Sequence, residues 1–371
     1  MALLTAPQDV LSRVRAEVER NALRARNGIR VVTSTGGPPV GQTPKDVVWR
    51  RGRCELWRYR HGDVRWSPPL FIVFSLVSRS YVLDLTPGNS FVENLVDAGF
   101  DVFLLDWGVP DERDADNVLE DYVGDYLPAA VDRAREVAGS EEVNLFGYCF
   151  GGVLALLYAA STPSAPLRSL TVAATPVDFD HMGPMADLVR EGRLEIDDVL
   201  DDNGNVPAGI VLNGFRMLKP VGEVSGYVNL WEQLDSDRYV AAYQTMGRWA
   251  KDHIPFPGGV ARQTAQMLLR ENAFMTDRVV LDGRSARLAD IAWPFLSVLA
   301  SRDHIVPEPA AAPLIGLVGS ADRDELRLDA GHAGLVVGRT AAKTTIPTII
   351  DFLARRSDPA GEPIATDEAR P

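Results

Sequence analysis

The chain has 371 residues and a formal net charge of −13 at pH 7, with 46% hydrophobic and 24% charged residues. This composition is typical of a folded globular protein and excludes a disordered or fibrous chain. The acidic balance argues against nucleic acid as a partner, and no apolar stretch approaches the roughly 20 residues that span a bilayer, so we expect a soluble chain with no membrane span.

The N-terminal segment, residues 1–44, is predicted to be a helix followed by a loop. Within residues 8–26, apolar side chains recur near helical spacing among charged ones, at Val10, Leu11, Val14, Val18 and Leu23. Such a helix usually packs on its own domain, and docking on a granule, a membrane or a partner is the alternative. The segment lacks a basic stretch followed by an apolar core, so we expect no signal peptide and a cytoplasmic location.

Seven short apolar runs follow, and most are predicted to be buried strands. They lie at residues 54–60, 70–77, 101–106, 142–147, 169–174, 295–300 and 324–328. Helical stretches lie between several of them, at 88–98, 119–138 and 150–160. This alternation predicts an α/β fold with a doubly wound, mostly parallel sheet, whose two halves lie at 45–177 and 291–355.

The alternation is interrupted between the two halves. Residues 178–290 carry helical spacing, Pro, Trp, Tyr and acidic clusters but no clear ladder of strands. They are predicted to form an inserted, largely helical cap over the carboxyl ends of the strands, where it can enclose a substrate. The tail at 356–371 is polar and rich in proline, and we expect it to be disordered.

The sharpest local signal for chemistry surrounds Cys149. A nucleophile elbow needs a strand, a tight turn and an immediate helix, and Gly147 and Gly151 stand where that turn must be narrow. The amino terminus of the helix also favours a thiolate. The alternative, a buried cysteine that acts as a small core residue, is the interpretation we prefer for Cys54. Neither cysteine has metal-ligand spacing with the five histidines, so we expect no metal site.

A thiol nucleophile needs a base, and in α/β-hydrolase-type folds the chain order is nucleophile, acid, histidine. Asp303 follows the predicted strand at 295–300, and His332 follows the one at 324–328. Both side chains are therefore expected near Cys149, as acid and base. The alternatives are that Asp303 caps a helix or turn and that His332 is an ordinary loop histidine.

An oxyanion hole in such a fold uses two backbone N–H groups. The first belongs to the residue after the nucleophile, Phe150. The second is expected from the loop after an earlier strand, at Val77 or Ser78.

Three further residues are expected to contact the substrate: Tyr148, Trp107 and His304. Trp107 follows a predicted strand and could shape the pocket floor, or it could simply pack a turn at the end of that strand. His253 lies in the predicted cap and is interpreted as structural.

These residues resemble a known family, the polyhydroxyalkanoate synthases, and most of all their short class III type. The box Gly147-Tyr148-Cys149-Phe150-Gly151-Gly152 is similar to the family's lipase-like box, with cysteine in place of serine. The likeness extends over residues 45–355 and includes the following segments: Tyr81-Val82-Leu83-Asp84-Leu85, Asp106-Trp107-Gly108, Thr175-Pro176-Val177-Asp178-Phe179, Leu281-Asp282-Gly283-Arg284, Asp303-His304-Ile305-Val306-Pro307 and Gly331-His332-Ala333-Gly334.

The resemblance implies that the protein is an acyltransferase that polymerises (R)-3-hydroxyacyl-CoA, usually 3-hydroxybutyryl-CoA, into a polyester and releases coenzyme A. Coenzyme A is then part of the substrate, and no separate cofactor is expected. By the same resemblance His332 deprotonates Cys149, while Asp303 assists deprotonation of the substrate's 3-hydroxyl, directly or through His332. The family also implies a homodimer, a second synthase subunit and a place at the surface of the polymer granule.

Two other functions fit the same residues. A thioesterase or an intracellular polyester depolymerase would use the same Cys-His-Asp triad to transfer the acyl group to water. A granule-coating or scaffold protein would not need the triad at all.

Overall fold

The computed structural model describes residues 7–33, 38–59, 62–218, 230 and 232–360. Within these ranges, the central sheet contains eight main strands: β1 Lys45–Arg51, β2 Cys54–Tyr59, β3 Trp66–Val73, β4 Phe100–Asp106, β5 Val143–Tyr148, β6 Leu167–Ala173, β7 Phe295–Ala300 and β8 Arg323–Leu328. Their order across the sheet is β1-β2-β4-β3-β5-β6-β7-β8. β2 runs antiparallel to β1 and β4, and the remaining neighbours from β4 to β8 are parallel. The mostly parallel sheet of the prediction is therefore confirmed.

The helices of the described ranges are α1 Pro7–Thr33, α2 Phe91–Asp97, α3 Leu127–Ala138, α4 Phe150–Ser161, α5 Pro184–Arg190, α6 Ala208–Leu218, α7 Asp237–Trp249, α8 Gly258–Gln263 and α9 Ile346–Ala354. Shorter α-helical turns lie at Glu308–Ala311, Leu314–Leu317 and Gly338–Thr340. Wider π-type turns adjoin α3, α8 and α9, at Asp121–Tyr126, Thr264–Arg270 and Ala341–Thr345. Two-residue strands pair outside the main sheet, Asn205–Val206 with Phe256–Pro257 and Val280–Leu281 with Arg284–Ser285. No helix of the described ranges combines the length and hydrophobicity that a membrane crossing requires.

The central strands are apolar on both faces because helices cover both faces. On β5, Leu145 belongs to the core cluster that contains α3 and α4, and the next residue, Phe146, belongs to the cluster that contains α2 and α9. Successive strand residues point to opposite faces, so this division shows that the sheet is doubly wound. Burial of apolar area contributes about 25 cal/mol per Å², so burial on both faces of the sheet stabilises the fold.

Strand β1 was not predicted, because its pattern is not apolar. Lys45, Asp46, Arg50 and Arg51 are charged, and every residue of the strand is at least partly exposed. The strand lies at the edge of the sheet, where charged side chains are tolerated and discourage pairing with other chains.

No strand of the central sheet lies between β6 and β7 in the described residues. The described part of 178–290 instead contains helices α5 to α8 and the small strand pairs. Residues 219–229 and 231, which belong to the predicted cap, lie outside the described residues, as do residues 1–6 and 34–37 of the predicted N-terminal segment.

The N-terminal helix α1 packs against the start of α7. The buried Asn27 amide donates to the carbonyl oxygen of Leu234 at 2.8 Å, and Arg26 pairs with Asp237 at 2.6 Å. Leu234 belongs to a small apolar cluster with Val240 and the partly buried Val31. The predicted amphipathic helix is thus present and longer than the 8–26 pattern indicated, and it contacts its own chain.

The start of the predicted disordered tail is part of the fold. Asp358–Pro359 forms a short strand that pairs with the beginning of β3, and Arg356 donates from Nε to Asp322 at 3.0 Å. Residues 356–360 therefore have a defined structure beside the start of β3, so disorder is the wrong description of these five residues. Residues 361–371 lie outside the described residues.

Candidate active site

Cys149 lies in the turn between β5 and α4, and its backbone is strained. Its dihedral angles are φ 56° and ψ −125°, a region that residues with a Cβ rarely occupy. Its N–H donates to the carbonyl oxygen of Ala173 at 2.9 Å, and its own carbonyl accepts from Gly152 N at 2.9 Å. These bonds to the neighbouring strand and the new helix hold the thiol at the carboxyl edge of the sheet.

The glycines that flank the cysteine are required by close packing. A Cβ at Gly151 would overlap the backbone of Val73 and Phe74 on β3 and its following loop. A Cβ at Gly147 would overlap the backbone of Gly152 in the first turn of α4. Strand, turn and helix can therefore approach closely enough to form the elbow only when these positions lack side chains.

His332 and Asp303 form a buried pair beside this turn. His332 follows β8 and Asp303 follows β7, and His332 Nδ1 lies 2.7 Å from Asp303 Oδ2. Only 6% of the histidine side chain and 1% of the aspartate side chain are exposed. Because a carboxylate only accepts, Nδ1 is the donor and Nε2 is left for the thiol. The other carboxylate oxygen, Oδ1, accepts from the backbone N–H of Ile305 at 2.8 Å and of Val306 at 2.9 Å.

The charges around His332 favour its protonated form. Burial lowers the pKa of the imidazole, but the negative charges of Asp303 and Cys149, with hydrogen bonds from the ring to both, raise it to about 10. An imidazolium beside a sulfur stabilises the thiolate, which is the nucleophilic form of cysteine. The arrangement is therefore suited to nucleophilic attack on a carbonyl carbon near neutral pH.

Tyr148 packs behind the pair rather than projecting freely into solvent. Its side chain is 1% exposed, its hydroxyl donates to the carbonyl oxygen of His332 at 3.2 Å, and its ring centre lies 5.1 Å from the imidazole. Burial raises the pKa of this phenol well above its usual value, so it stays protonated. The tyrosine thus supports the position of His332.

A cavity of about 330 Å³ opens onto Cys149 and His332. Of the residues expected at the site, it is also lined by Val77, Ser78, Tyr148 and His304. The remaining lining residues come from the segment 178–290 and from the loops after β7 and β8: Leu212, Phe215, Arg216, Leu218, Trp249, Ala250, Lys251, His253, Arg302, Ile305 and Gly331. Asp303 lies behind His332, and the ring of Phe150 packs edge-on against Phe256 with ring centres 5.6 Å apart.

Trp107 is not brought to this cavity. Its indole N–H donates to the carbonyl oxygen of Phe74 at 2.8 Å, its ring packs edge-on against Tyr122, and it lines a separate space of about 20 Å³ beside Cys54. The strand order explains the position, because Trp107 follows β4 and β3 lies between β4 and β5. The structure therefore places Trp107 in packing at the end of a strand, outside the cavity at Cys149.

Sequence reasoning missed the side chains that form the opposite wall of the cavity. Phe215, Trp249 and His253 all line it, and they come from a region whose pattern indicated only helices. His253, interpreted as structural, was the one available signal, because it is a histidine beside the proline-containing stretch Ile254-Pro255-Phe256-Pro257 of the predicted cap. In the described residues, no three His, Cys, Asp or Glu side chains are grouped as metal ligands.

Comparison with known proteins agrees with this fold. The family model of the α/β hydrolase fold matches residues 83–203. A monoacylglycerol lipase from Paleococcus ferrophilus has a similar structure, with a TM-score of 0.51 and 19% identity over 82% of this chain and 100% of the lipase. At that identity the similarity shows the fold alone, and it confirms the expected α/β-hydrolase architecture.

The similarity in sequence is more specific. The PhaC subunit of poly(3-hydroxyalkanoate) polymerase from Allochromatium vinosum is 35% identical over 321 residues, which cover 85% of this chain and 90% of the relative. The PhaC subunit from Haloferax mediterranei is 33% identical over 340 residues, covering 90% of this chain and 68% of the relative. Similarity of this extent cannot come from the elbow motif alone. The chain therefore belongs to the poly(3-hydroxyalkanoate) polymerase family, whose members are polyester-forming, acyltransferase-type enzymes.

Proposed function

We propose that this protein polymerises (R)-3-hydroxyacyl-CoA, with 3-hydroxybutyryl-CoA as the expected monomer, into polyhydroxyalkanoate and releases coenzyme A. The observation that carries the proposal is the buried His332–Asp303 pair beside Cys149, at a cavity of about 330 Å³ in a chain of this family. The pair prepares a nucleophile, and the cavity gives that nucleophile an enclosed substrate site.

Acylation begins with the Cys149 thiolate, which attacks the thioester carbonyl carbon. A new S–C bond forms, the bond to the sulfur of coenzyme A breaks, and the leaving thiolate takes the proton held by His332. One thioester is exchanged for another, so the acyl group stays activated toward an alcohol. The N–H of Phe150 and an N–H at Val77 or Ser78 are the donors for the oxyanion that forms in this step.

Chain growth requires a base for the 3-hydroxyl of the next acyl unit. Asp303 is engaged at both oxygens, by His332 on one side and by two backbone N–H groups on the other. This supports the version of the proposal in which Asp303 acts through His332. The imidazole then takes the hydroxyl proton as the oxygen attacks the acyl carbon on Cys149. A C–O ester bond forms, the C–S bond to Cys149 breaks, and Cys149 leaves as the thiolate beside the protonated His332.

The segment 178–290 is proposed to act as a cap that keeps water from the acyl-cysteine. Leu212, Phe215 and Leu218 place apolar side chains on the cavity wall. Exclusion of water matters here because hydrolysis of the acyl-enzyme would end chain growth. Arg216, Lys251 and Arg302 also line the cavity, so a chain with a net charge of −13 presents cations where the phosphates of coenzyme A would approach.

The proposal extends to assembly and location. We expect a homodimer that works with a second synthase subunit at the surface of a polymer granule in the cytoplasm, and no cofactor beyond the coenzyme A of the substrate. Light scattering on the purified chain tests the dimer, which has twice the mass of one chain. Fluorescent fusion in polymer-producing cells tests the location, and an even cytoplasmic signal contradicts it.

The deciding experiment mixes purified protein with 3-hydroxybutyryl-CoA and follows thiol release and product size together. We expect release of coenzyme A with insoluble polymer, and loss of both in Cys149→Ala. Cys54→Ala is the matched control, because Cys54 is 3% exposed in β2 and burial raises the pKa of its thiol well above the usual value. That variant should polymerise normally.

Other outcomes point to other functions. Release of coenzyme A with soluble hydroxy acid as the only other product would assign the site to a thioesterase or depolymerase. The isolated chain could release no coenzyme A and begin to release it only after a second synthase subunit is added. That result would assign the activity to the assembled enzyme. Normal polymer formation by Cys149→Ala would contradict the proposed nucleophile.

A further inference from the structure

Ile305 places an apolar side chain beside the thiol of Cys149. Both residues are partly buried, and both line the cavity of about 330 Å³. They also pack against the same small apolar cluster, which consists of Leu299, Val306, Ala310 and Ala311. A group bonded to the sulfur of Cys149 therefore has the Ile305 side chain in its surroundings.

The backbone of Ile305 is fixed by the carboxylate that also holds the base. Asp303 Oδ1 accepts from the backbone N–H of Ile305 at 2.8 Å and of Val306 at 2.9 Å, while Oδ2 lies 2.7 Å from His332 Nδ1. The turn that carries Ile305 is thus attached to the His332–Asp303 pair. The bond to Ile305 involves its main chain only, so a change of its side chain leaves that bond in place.

The side chain of Ile305 also has little freedom to move. Isoleucine is branched at Cβ, which restricts its χ1 angle. The cluster beneath it is part of the core, with Leu299 and Val306 at most 2% exposed. Closely packed interiors do not yield easily to a larger neighbour. Ile305 therefore forms a wall of defined position.

The apolar side chains that line the cavity from α6 are held less firmly. Leu212, Phe215 and Leu218 lie in this helix, which has no buried residue. Elements with few buried contacts open at low cost in free energy. A wall of this kind adapts to acyl chains of different length, so it discriminates between them less than Ile305 does.

The chemistry of the monomer brings its alkyl group to this region. The 3-hydroxyl and the alkyl group of a 3-hydroxyacyl thioester share one carbon atom, two bonds from the carbonyl carbon. In the proposed reaction His332 takes the proton of this hydroxyl, which keeps the shared carbon near the imidazole and the thiol. The alkyl group then lies within the part of the cavity that Ile305 borders.

We propose that Ile305 is a specificity-determining residue, whose side chain favours the methyl group of 3-hydroxybutyryl over longer alkyl groups. This inference rests on the proposed function, because it concerns the acyl group that the same thiol carries. It assigns the choice of monomer to the loop after β7, next to the base, and not to the helices of the cap.

The test uses p-nitrophenyl esters, because their reaction with Cys149 does not require polymerisation. The thiolate bonds the ester carbonyl carbon and p-nitrophenolate leaves, so the burst of p-nitrophenol reports acylation. The butanoate ester has the carbon skeleton of 3-hydroxybutyryl, and the hexanoate ester is longer by two methylene groups. Alkylation by iodoacetamide reports the thiolate without any acyl chain. All rates are measured at pH 7 for the full chain and its variants.

We expect the wild type to react faster with the butanoate ester. Ile305→Ala should raise the ratio of the hexanoate rate to the butanoate rate by about 10- to 100-fold, because one methylene group in an apolar pocket changes a rate by about 10- to 200-fold. Ile305→Val is a milder change that keeps the branched Cβ, so it should raise the ratio less. Alkylation should change by less than about twofold, and Cys149→Ala should abolish the burst.

Val306→Ala is the matched control. Val306 belongs to the same apolar cluster and its N–H bonds the same carboxylate oxygen, but its side chain is 2% exposed and is not part of the cavity wall. Its truncation should lower the free energy of unfolding and leave the ratio of the two ester rates within about twofold of the wild type.

Several results would overturn the inference: a wild type that prefers hexanoate, an unchanged ratio in both Ile305 variants, or an equal rise of the ratio in Val306→Ala. A parallel loss of both bursts and of alkylation in Ile305→Val would also overturn it, because Ile305 would then support the His332–Asp303 pair instead of selecting the acyl chain.

Failure of the proposed function is distinguishable from failure of this inference. In the first case, the ester ratio and its dependence on Ile305 would persist while 3-hydroxybutyryl-CoA gave no polymer. In the second case, polymer would form while the ratio did not depend on Ile305. A wild-type protein with no burst at all would refute both, since Cys149 would then not be an acyl acceptor.

Discussion

The two walls of the cavity at Cys149 are built in different ways. On the sheet side, Cys149 leads into α4, in which residues 151–160 are all buried. On the opposite side, α6 has no buried residue, and Ile210 and Met217 are 36% and 47% exposed. One wall belongs to the core of the molecule, and the other rests on it.

Rigidity is therefore distributed unevenly around the site. Backbone hydrogen bonds of the sheet and fully buried helices resist local opening, whereas elements with few buried contacts open at low cost in free energy. The nucleophile and its base are thus held by the most stable part of the fold. The opposite wall is held by side-chain contacts, such as those of Trp249 and His253, and by an isolated backbone bridge between His253 and Ser78.

The largest expected effect separates two histidines of the same cavity. His332→Ala should lower the rate of coenzyme A release at least about 10³-fold, because it removes the base that is paired with Asp303. His304 is exposed and lies at the rim, so His304→Ala should change the rate less than about tenfold. Initial rates at saturating 3-hydroxybutyryl-CoA check both predictions. Equal losses of activity in the two variants would contradict the different roles assigned to these histidines.

The next effect concerns the charge behind the base. Asp303→Asn keeps a side-chain oxygen for the backbone donors but removes the carboxylate from His332, so the pKa of the imidazole should fall from about 10 toward its ordinary value of 6.5. Activity should fall roughly 10²- to 10⁴-fold. Acylation and elongation are measured separately, and preserved acylation with failed elongation would show that Asp303 serves the substrate hydroxyl directly.

The same substitution predicts a change of stability with pH. A raised folded-state pKa stabilises the fold fully below the unfolded value of 6.5, and this contribution is lost as the pH rises toward about 10. The advantage of the wild type over Asp303→Asn should therefore be larger at pH 6 than at pH 9. Urea unfolding at the two pH values checks the sign, and an advantage that grew with pH would contradict the raised pKa.

A matched pair of Leu→Ala variants tests the structural contrast itself. Leu157 lies in α4 and is fully buried, so Leu157→Ala should lower the free energy of unfolding by about 2–5 kcal/mol. Leu212 lies in α6 and is only partly buried, so Leu212→Ala should cost less than about 1 kcal/mol while changing KM for the acyl-CoA. Equal losses in urea unfolding would mean that the two walls are equally rigid.

The smallest expected effect comes from backbone strain at Cys149. Glycine adopts the positive φ of Cys149 without steric cost, so Cys149→Gly should be more stable than Cys149→Ala by about 1 kcal/mol. Both variants lack the thiol, and the comparison therefore isolates the backbone. Thermal unfolding of the pair checks it, and a less stable glycine variant would show that the turn is not strained.

The sequence alone could predict features that depend on residues close together in the chain. The elbow was predictable because Gly147 and Gly151 stand two positions before and after Cys149 in the chain, and β7 was located correctly because its apolar run ends where the strand ends. The apolar run at 70–77 predicted β3 too far along the chain, since residues after Val73 remain buried as they enter the loop at the cavity. Local patterns carry little information on which buried residues remain in the ladder.

Contacts between distant segments were not predictable. Trp107 follows a strand as Cys149 does, but the sheet order separates the two, and no pattern in a single sequence reveals that order. Phe215 and His253 meet across 38 positions of the chain in a region with no strand ladder to place them. Residues of this kind are found only when the folded arrangement is known.

Helix α7 also links parts of the molecule that are far apart. Its first residue, Asp237, pairs with Arg26 of α1, and its last, Trp249, bonds the loop after β3. Its 13 residues span about 20 Å at 1.5 Å per residue. The helix therefore bridges the N-terminal helix and the loop beside the cavity, so only one helix separates α1 from the wall opposite Cys149.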